Sequence, residues 1–236
     1  MAESRPRLGI FFPMYNEEEN LRPSVARATE VLSSLAGDSY EIVIVDDASR
    51  DRTPQMADEL AAADPHVRVV HHPENRSLGG AIQTGLASSR AEVVVYTDGD
   101  LPCDLNKIRE ALPLLEQADL VIGQRSGRRE GPLRVLYSFA YNQLIRLLFG
   151  VRVRDVNFAF KVFTRPVVES LRVESRSGFI DAEILAECLR QGYRIAELPV
   201  VYTPRVAGVS TLASPKRILE ILRDLRAYRR RRRQRR

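Results

Sequence analysis

Short apolar segments alternate with longer amphipathic segments through the first half of the chain. Each apolar segment has four to seven residues, is rich in valine and isoleucine and is bounded by turn residues, which is typical of a buried strand. Because the strands alternate with helical segments, we predict βαβ units and an α/β fold with a mostly parallel sheet flanked by helices. The five predicted strands are Leu8–Phe12, Glu41–Asp47, Val67–His71, Glu92–Thr97 and Leu120–Gly123.

Helix start signals stand between these strands. Asn16 can cap a first helix, with Glu19 three residues later as its capping-box partner. Thr53 followed by Pro54 places a proline in the first turn of a second helix. The starts of the third and fourth helices are predicted at Ser77 and Asp104.

The alternation loosens in the second half of the chain. The helical segment Leu133–Gly150 is unusually apolar, and the last segment, Pro215–Arg236, has the composition of a basic helix. Between them we predict a strand, a helix and a strand at Asn157–Phe163, Asp181–Gln191 and Ile195–Tyr202. We therefore expect a main domain, 1–212, and a basic C-terminal helix or tail, 213–236.

Charge is distributed unevenly along the chain. Residues 216–236 contain eleven Lys and Arg and two acidic residues, so their net charge is +9. Because the whole chain has a net charge of +5, residues 1–215 have a net charge of −4. Such a basic end can bind an anionic membrane surface, form a nonspecific nucleic-acid patch or act as a solubilising extension. Charge segregation without an apolar span favours the membrane surface over nucleic acid.

Cysteine content and hydropathy narrow the class of protein. The two cysteines, Cys103 and Cys188, form neither a disulfide framework nor a zinc motif, which fits a reduced compartment. No stretch reaches the roughly 18 apolar residues of a membrane span, and the N-terminal residues contain no signal-peptide core. We expect a cytoplasmic protein that is peripheral on the inner face of the membrane.

Polar residues follow three predicted strands at the point where each strand ends. They are Pro13–Glu17 after the first strand, Asp46 and Asp47 at the end of the second, and 98–100 after the fourth. The carboxyl ends of parallel strands meet at one edge of the sheet, where ligands bind in open α/β folds. Carboxylates can bind ribose hydroxyls and base N–H groups. The chain has neither a glycine-rich dinucleotide fingerprint nor a Walker lysine, which argues against hydride transfer and ATP hydrolysis.

Asp98 and Asp100 flank a single glycine at the tip of an apolar strand. Two buried unpaired carboxylates would be costly, so their placement indicates a ligand. Carboxylate oxygens suit Mg²⁺ or Mn²⁺, which usually bridge to substrate phosphates. The alternative is an ordinary Asp-Gly turn. Gly79 and Gly80 likewise have a simpler role than phosphate binding, namely tight packing of a helix on the sheet.

Six segments in this order resemble the family 2 glycosyltransferases of GT-A fold, and within them the dolichyl- and polyprenyl-phosphate sugar transferases. The resemblance extends over about residues 8–212. The segments are FPMYNEEENL (12–21), EIVIVDDASRDRT (41–53), NRSLGGA (75–81), TDGDL (97–101), VIGQR (121–125) and GVSTL (208–212).

The resemblance implies inverting transfer of a sugar from a UDP- or GDP-sugar to a polyprenyl or dolichyl phosphate. It implies Asp98 and Asp100 as ligands of Mg²⁺ or Mn²⁺, with Asp100 the more direct, and Arg125 and Lys161 as contacts of the acceptor phosphate. The residues implied to bind the nucleotide sugar are Pro13, Tyr15, Glu17, Asp46, Asp47, Asp98, Gly99, Asp100, Arg205 and Ser210.

Three positions depart from the family pattern. Pro102 stands where lipid-phosphate transferases often have glutamine, and Thr211 stands in place of a lysine. Lys161 replaces a phosphate-contacting arginine and supplies charge without the bidentate fork. These departures concern the acceptor, the donor sugar and the metal shell rather than the fold.

The nature of the acceptor decides the chemistry. A lipid phosphate is already anionic and needs no general base, whereas a sugar hydroxyl needs one. Asp181 and Glu183 are the candidate bases, although acids in the first turn of a helix also favour the helix dipole. The catalytic candidates are therefore Asp100, Arg125 and Asp181. The alternatives are transfer to a glycan or other hydroxyl, and a catalytically silent nucleotide-sugar-binding module. A membrane-protein partner is left open.

Overall fold

The computed structural model describes residues 5–126, 132–203 and 215–234. Within these ranges the first half of the chain alternates strands and helices. Its elements are β1 (Leu8–Met14), α1 (Glu18–Ala36), β2 (Tyr40–Asp46), α2 (Thr53–Ala63), β3 (Val67–His71), α3 (Ser77–Ser88), β4 (Val93–Thr97), α4 (Lys107–Leu114) and β5 (Leu120–Ser126). The second half contains α5 (Pro132–Phe149), β6 (Phe160–Thr164), α6 (Arg165–Ser170), α7 (Ile180–Arg190), β7 (Ile195–Val201) and α8 (Pro215–Gln234).

The described strands form one seven-stranded sheet in the order β3-β2-β1-β4-β6-β5-β7. The first four strands along the chain are parallel to one another, and β5 is parallel to β7. Only β6 runs antiparallel, between β4 and β5. The predicted mostly parallel α/β sheet is therefore confirmed.

Both faces of the sheet are covered by helices, which explains why the central strands are continuously apolar. Side chains of β1 alternate between the two layers: Phe11 faces the layer that includes α3, α5 and α7, whereas Ile10 and Phe12 face the layer that includes α1, α2 and α4. Gly85 of α3 lies directly against the Phe11 ring, so a larger side chain there would displace the helix from the sheet.

The basic helix α8 is packed against the rest of the fold. Leu225 and Tyr228 are buried in the same layer as α5 and α7, and the Tyr228 ring lies 5.2 Å from Phe149 and 5.9 Å from Phe179 between centroids. Its second half is therefore not a loose tail. The predicted domain boundary at 212 lies outside the described residues.

Several boundary predictions are wrong for identifiable reasons. β1 continues through Pro13 to Met14, because its pairing with β4 has already ended at Phe11 and a missing N–H costs nothing on that side. β6 starts at Phe160 rather than Asn157. α4 starts at Lys107, after Asp104 has accepted a hydrogen bond from the Asn106 N–H.

Asn16 does not cap α1. It has a φ of 55°, and its Oδ1 accepts a hydrogen bond from the backbone N–H of Arg50. The first N–H groups of α1 are instead satisfied across the fold, by Thr53 Oγ1 at Glu17 (2.9 Å) and Asp51 Oδ2 at Glu18 (3.2 Å). Tertiary contacts thus replace the predicted local capping box.

Gly79 has a packing role, but not against the sheet. Its N–H donates to the carbonyl of Arg176 at 2.9 Å, and a Cβ there would collide with the backbone at Ser175. The glycine thus lets the start of α3 approach the segment that precedes α7.

Candidate active site

The carboxyl ends of β1 to β4 form one polar edge, as predicted from the strand order. The backbone N–H of Asp47 donates to the carbonyl of Met14 at 2.9 Å, and the Ser24 hydroxyl donates to the carbonyl of Gly99. Met14 Sδ occupies the space that a Cβ at position 99 would need. The candidate residues brought to this edge are Pro13, Tyr15, Glu17, Asp46, Asp47, Asp98, Gly99 and Asp100.

The backbone is strained where the chain leaves this edge. Four non-glycine residues have a positive φ within the described ranges, and all four lie here: Asn16 (55°), Ala48 (59°), Ser77 (62°) and Leu101 (48°). Such conformations cost of the order of 1–3 kcal/mol each and cluster at ligand sites. The strain therefore marks the same edge as the carboxylates do.

Asp46 is held by an adjacent strand. Its Oδ1 accepts a hydrogen bond from the Ser49 N–H at 3.0 Å, and its Oδ2 lies 2.9 Å from His71 Nδ1. The β2–β3 register pairs residue 46 directly with residue 71. The other ring nitrogen of His71 lies 3.1 Å from Asp58 on α2.

Asp47 is held by the next histidine. His72 Nδ1 lies 2.6 Å from Asp47 Oδ1, and the Arg76 N–H donates to the same oxygen at 2.7 Å. The repulsion expected between two adjacent aspartates is thus relieved by two adjacent histidines. Neither histidine was predicted as a site residue, although each follows its aspartate by 25 residues, at the end of the neighbouring predicted strand.

The His71 pair makes a pH-dependent contribution to stability. Burial alone would lower the pKa of His71, but hydrogen bonds with Asp46 and Asp58 raise the pKa above its ordinary 6.5. A raised folded-state pKa contributes stability that is fully present below 6.5 and lost as the pH rises through the folded-state value.

We expect the difference in unfolding free energy between the wild type and His71→Gln to be largest at acidic pH and to decline above neutrality. Urea denaturation across pH, with an NMR titration of the ring, measures this. A ring pKa at or below 6.5 would contradict it.

Asp98 and Asp100 lie half-buried on either side of the buried Gly99. The Tyr96 hydroxyl donates to Asp98 Oδ1 at 3.1 Å. Burial, with the nearby Asp98, raises the pKa of Tyr96, so this hydroxyl stays a donor. Two carboxylates fit a small hard cation that takes its remaining ligands from water and a diphosphate. No cluster of three or more His, Cys, Asp or Glu suited to a metal occurs in the described ranges.

Lys161 and Asp181 lie in the core, away from solvent. Lys161 has 0% exposure, and its Nζ donates to Asp181 Oδ1 at 2.6 Å and to the carbonyl of Phe158 at 2.9 Å. Burial raises the pKa of Asp181, while the Lys161 charge opposes this rise. In this arrangement neither group is available as a phosphate contact or a general base, because each neutralises the other. The ion pair argues against both predicted roles, and the roles themselves stay predictions.

Arg125 is held in a partly buried ion pair. Its Nε and Nη2 donate to the two oxygens of Asp155 at 2.7 and 3.2 Å. The guanidinium carbon lies 5.4 Å from the centroid of Phe158 and 5.6 Å from that of Tyr202. The bidentate fork that would suit a phosphate is thus engaged by Asp155. Its role at the acceptor stays a prediction.

Glu183 has a structural role. Its Oε2 accepts hydrogen bonds from the N–H groups of Glu174 and Ser175, and its Oε1 lies 2.7 Å from Arg231 Nη2 of α8. The side chain is buried and these partners lie outside α7, so its placement is not explained by the helix dipole alone, and its role as a general base stays a prediction. The predicted donor contacts Arg205 and Ser210 lie outside the described residues.

A family model described as glycosyl transferase family 2 matches residues 10–172, more than half of the chain. The chain belongs to this family. Glycosyltransferase AglD of Haloferax volcanii is 33% identical over 209 residues, covering 84% of this chain but only 33% of that protein. Polyprenol monophosphomannose synthase of Mycolicibacterium smegmatis is 31% identical over 229 residues, covering 90% of this chain and 84% of that protein. The chain thus spans a third of one relative and most of the other.

A solved structure confirms the predicted GT-A fold of this family 2 glycosyltransferase. Mannosyltransferase PcManGT from Pyrobaculum calidifontis, in complex with GDP-Man and Mn²⁺, superposes with a TM-score of 0.66 at 24% identity. The match covers 89% of this chain and 60% of that one. The presence of Mn²⁺ in that complex supports a divalent metal in glycosyltransferases of this fold.

Proposed function

We propose that this chain transfers a sugar from a UDP- or GDP-sugar to a polyprenyl phosphate, with inversion at the anomeric carbon. The observation that carries the proposal is the convergence of Asp47, Asp98 and Asp100 on one strained edge in a family 2 chain. Asp47 and the exposed ring of Tyr15 (44%) would hold the nucleoside, together with Pro13 and Glu17. The name of the Mycolicibacterium relative supports the polyprenyl acceptor.

The metal in this proposal is Mg²⁺ or Mn²⁺, held by Asp98 and Asp100. A bound divalent cation would supply charge stabilisation for the departing nucleoside diphosphate. The chain's own contribution is to present the two carboxylates at fixed positions: the Tyr96 hydroxyl orients Asp98, and the Ser24 hydroxyl fixes the carbonyl between the two acids.

The buried ion pairs favour a phosphate over a hydroxyl acceptor. Both candidate bases are engaged in the fold, Asp181 by Lys161 and Glu183 by Arg231. A phosphate oxygen is anionic at neutral pH and can attack the anomeric carbon without a base. The new bond joins that carbon to the phosphate oxygen, and the bond to the nucleoside diphosphate breaks with its electron pair on the leaving group.

We further propose that α5 and the exposed face of α8 hold the protein peripherally on an anionic membrane, at its cytoplasmic face. None of the described helices is both long and apolar enough to cross a membrane. α5 contains no acid and exposes Tyr137 (65%), Phe139 (59%) and Leu147 (83%), while α8 exposes Ile218 and Leu219. Exposed arginines accompany the apolar residues of α8: Arg223, Arg226, Arg229 and Arg230. Apolar side chains next to basic ones suit the interface of an anionic bilayer.

The membrane contact can be tested with vesicles. We expect Phe139→Glu with Leu147→Glu to reduce sedimentation with phosphatidylglycerol vesicles at least tenfold, because burying one such side chain is worth about 1.5–3 kcal/mol. Leu189→Glu, on the exposed end of α7, is the matched control and should bind as the wild type does. Equal binding of the double variant and the control would contradict the assigned surface. If vesicle binding is lost only when the exposed arginines of α8 are replaced, the contact is purely electrostatic and the apolar residues of α5 do not contribute to it.

The activity is tested by incubating the protein with a panel of UDP- and GDP-sugars, Mn²⁺ or Mg²⁺, and either polyprenyl phosphate or soluble glycans. We expect a glycolipid from polyprenyl phosphate with one class of donor, detected by mass spectrometry of the lipid phase. Product formed only with the soluble glycans would reject polyprenyl phosphate as the acceptor and support transfer to a sugar hydroxyl instead. Tight nucleotide-sugar binding without any product would support the silent binding module.

A further inference from the structure

His72 is buried between β2 and α3 with both ring nitrogens engaged. Its Nδ1 lies 2.6 Å from Asp47 Oδ1, and its Nε2 lies 2.8 Å from the hydroxyl oxygen of Thr84. The Arg76 Nη1 donates to that same hydroxyl at 3.3 Å. A ring fixed at both ends in this way cannot turn, so the carboxylate it contacts is fixed as well.

The hydrogen bonds of Asp47 fall on only one of its carboxylate oxygens. Oδ1 receives both the His72 ring and the Arg76 backbone N–H. Across 5–126, 132–203 and 215–234, no hydrogen bond reaches Oδ2. The main chain of this residue is also secured, by Met14 on one side and the Asn75 side chain on the other.

The hydrogen-bond partners of His72 determine which ring nitrogen carries the proton in the neutral form of the ring. A carboxylate accepts only, so Nδ1 carries the proton that faces Asp47, and Nε2 accepts from the Thr84 hydroxyl. The order of donation then runs from Arg76 through Thr84 and His72 to Asp47. Asp47 thus has one oxygen, Oδ1, engaged in hydrogen bonds within the protein.

The neighbouring aspartate is arranged differently. Both oxygens of Asp46 are occupied, one by the Ser49 N–H and the other by His71. Of the two adjacent acids, Asp47 is therefore the one with an oxygen to offer to a ligand. The resemblance to the family likewise implied Asp47, with Asp46 beside it, as the acid that binds the base.

We infer that His72 is a positioning residue for donor recognition: it locks Asp47 Oδ1 so that Oδ2 faces the N–H group of the nucleobase. The inference rests on the proposed function, since it requires a nucleotide donor at this edge. It predicts that His72 contributes to binding of the nucleoside and not to binding of the diphosphate. A residue that only supported the fold would affect both equally.

The test compares ligands that share the diphosphate but differ in the base. Binding of UDP, GDP and pyrophosphate, each with Mn²⁺, is measured by calorimetry for the wild type, His72→Leu and His72→Asn. We expect His72→Leu to weaken the preferred nucleoside diphosphate at least tenfold and to leave pyrophosphate within twofold. His72→Asn should recover most of the loss, because its amide can donate in place of Nδ1. In turnover, the KM for the donor should rise while kcat changes less than threefold.

His66→Leu is the matched control, because this third histidine stacks on Tyr40 at the opposite end of the sheet and should leave all three affinities unchanged. Thermal unfolding of each variant accompanies the titrations. Equal losses for pyrophosphate and the nucleoside diphosphates would overturn the inference, as would wild-type affinity of His72→Leu for both UDP and GDP. A wild type that binds pyrophosphate but neither UDP nor GDP would reject the proposed function itself.

Discussion

Asp100→Ala is expected to reduce sugar transfer by about a thousandfold or more while leaving the protein folded. The carboxylate stands at the strand tip of β4 and is the proposed direct ligand of the divalent cation. Charge stabilisation by a bound metal is worth several kcal/mol in the transition state, and each 1.36 kcal/mol is a factor of ten in rate. The loss should fall on kcat/KM and should not be restored by excess Mn²⁺.

The measurement is the initial rate of glycolipid formation, with thermal unfolding followed by circular dichroism. Asp104→Ala provides the control, since Asp104 lies on the same loop but is exposed and pairs with Arg27. It should retain activity close to that of the wild type. Equal product from Asp100→Ala and the wild type would refute the metal assignment at this position.

Asp181→Ala is expected to lower the free energy of unfolding by about 3–5 kcal/mol, because it leaves the buried Lys161 ammonium without its counter-charge. Among the residues that the structure describes, Lys161 then retains only the carbonyl of Phe158, at 2.9 Å, and the face of the Tyr96 ring, at 5.5 Å. Neither replaces a carboxylate in a site with no exposure. Urea denaturation at neutral pH measures the loss.

The double variant Lys161→Met with Asp181→Leu separates a structural role from a catalytic one. Replacing a buried ion pair by apolar side chains of similar volume is often neutral or stabilising, so we expect unfolding within about 2 kcal/mol of the wild type. Sugar transfer to polyprenyl phosphate should then persist, since this acceptor needs no base. A double variant that is stable but inactive would show that Asp181 or Lys161 takes part in sugar transfer.

The elements were largely predictable because strands buried on both faces have an unmistakable apolar composition. β2 (Tyr40–Asp46) and β3 (Val67–His71) were placed within one residue at each end. Errors occurred where local signals were overridden by distant partners. Asn16 has every feature of a helix cap, yet the N–H groups it would serve are satisfied by Asp51 and Thr53, more than 30 residues away.

The candidate site was predictable in outline and not in its supporting contacts. Parallel strands bring their carboxyl ends together, so the convergence of Asp47 and Asp98 followed from strand order alone. The need for something to offset two adjacent aspartates was also apparent. That His71 and His72 meet this need depends on the register of β2 and β3, which composition does not specify.

The basic C-terminal segment shows the limit of a linear description. The sequence alone shows that this segment is strongly basic, and from this charge a surface-binding tail was predicted. Only the packing of Tyr228 against Phe149 and the Arg231–Glu183 pair reveal that one face of its second half packs against the core.

The amino-acid sequence by itself determined the α/β class, the family and the identity of the acids at the sheet edge, because these depend on local composition and on short ordered motifs. The tertiary structure decided which charges are available. Lys161 and Asp181 are as polar in the sequence as Asp98 and Asp100, but the first two lie in the core and neutralise each other. Whether a charged group binds a ligand or stabilises the fold depends on its burial and its partners, and both are set by contacts between residues far apart in the chain.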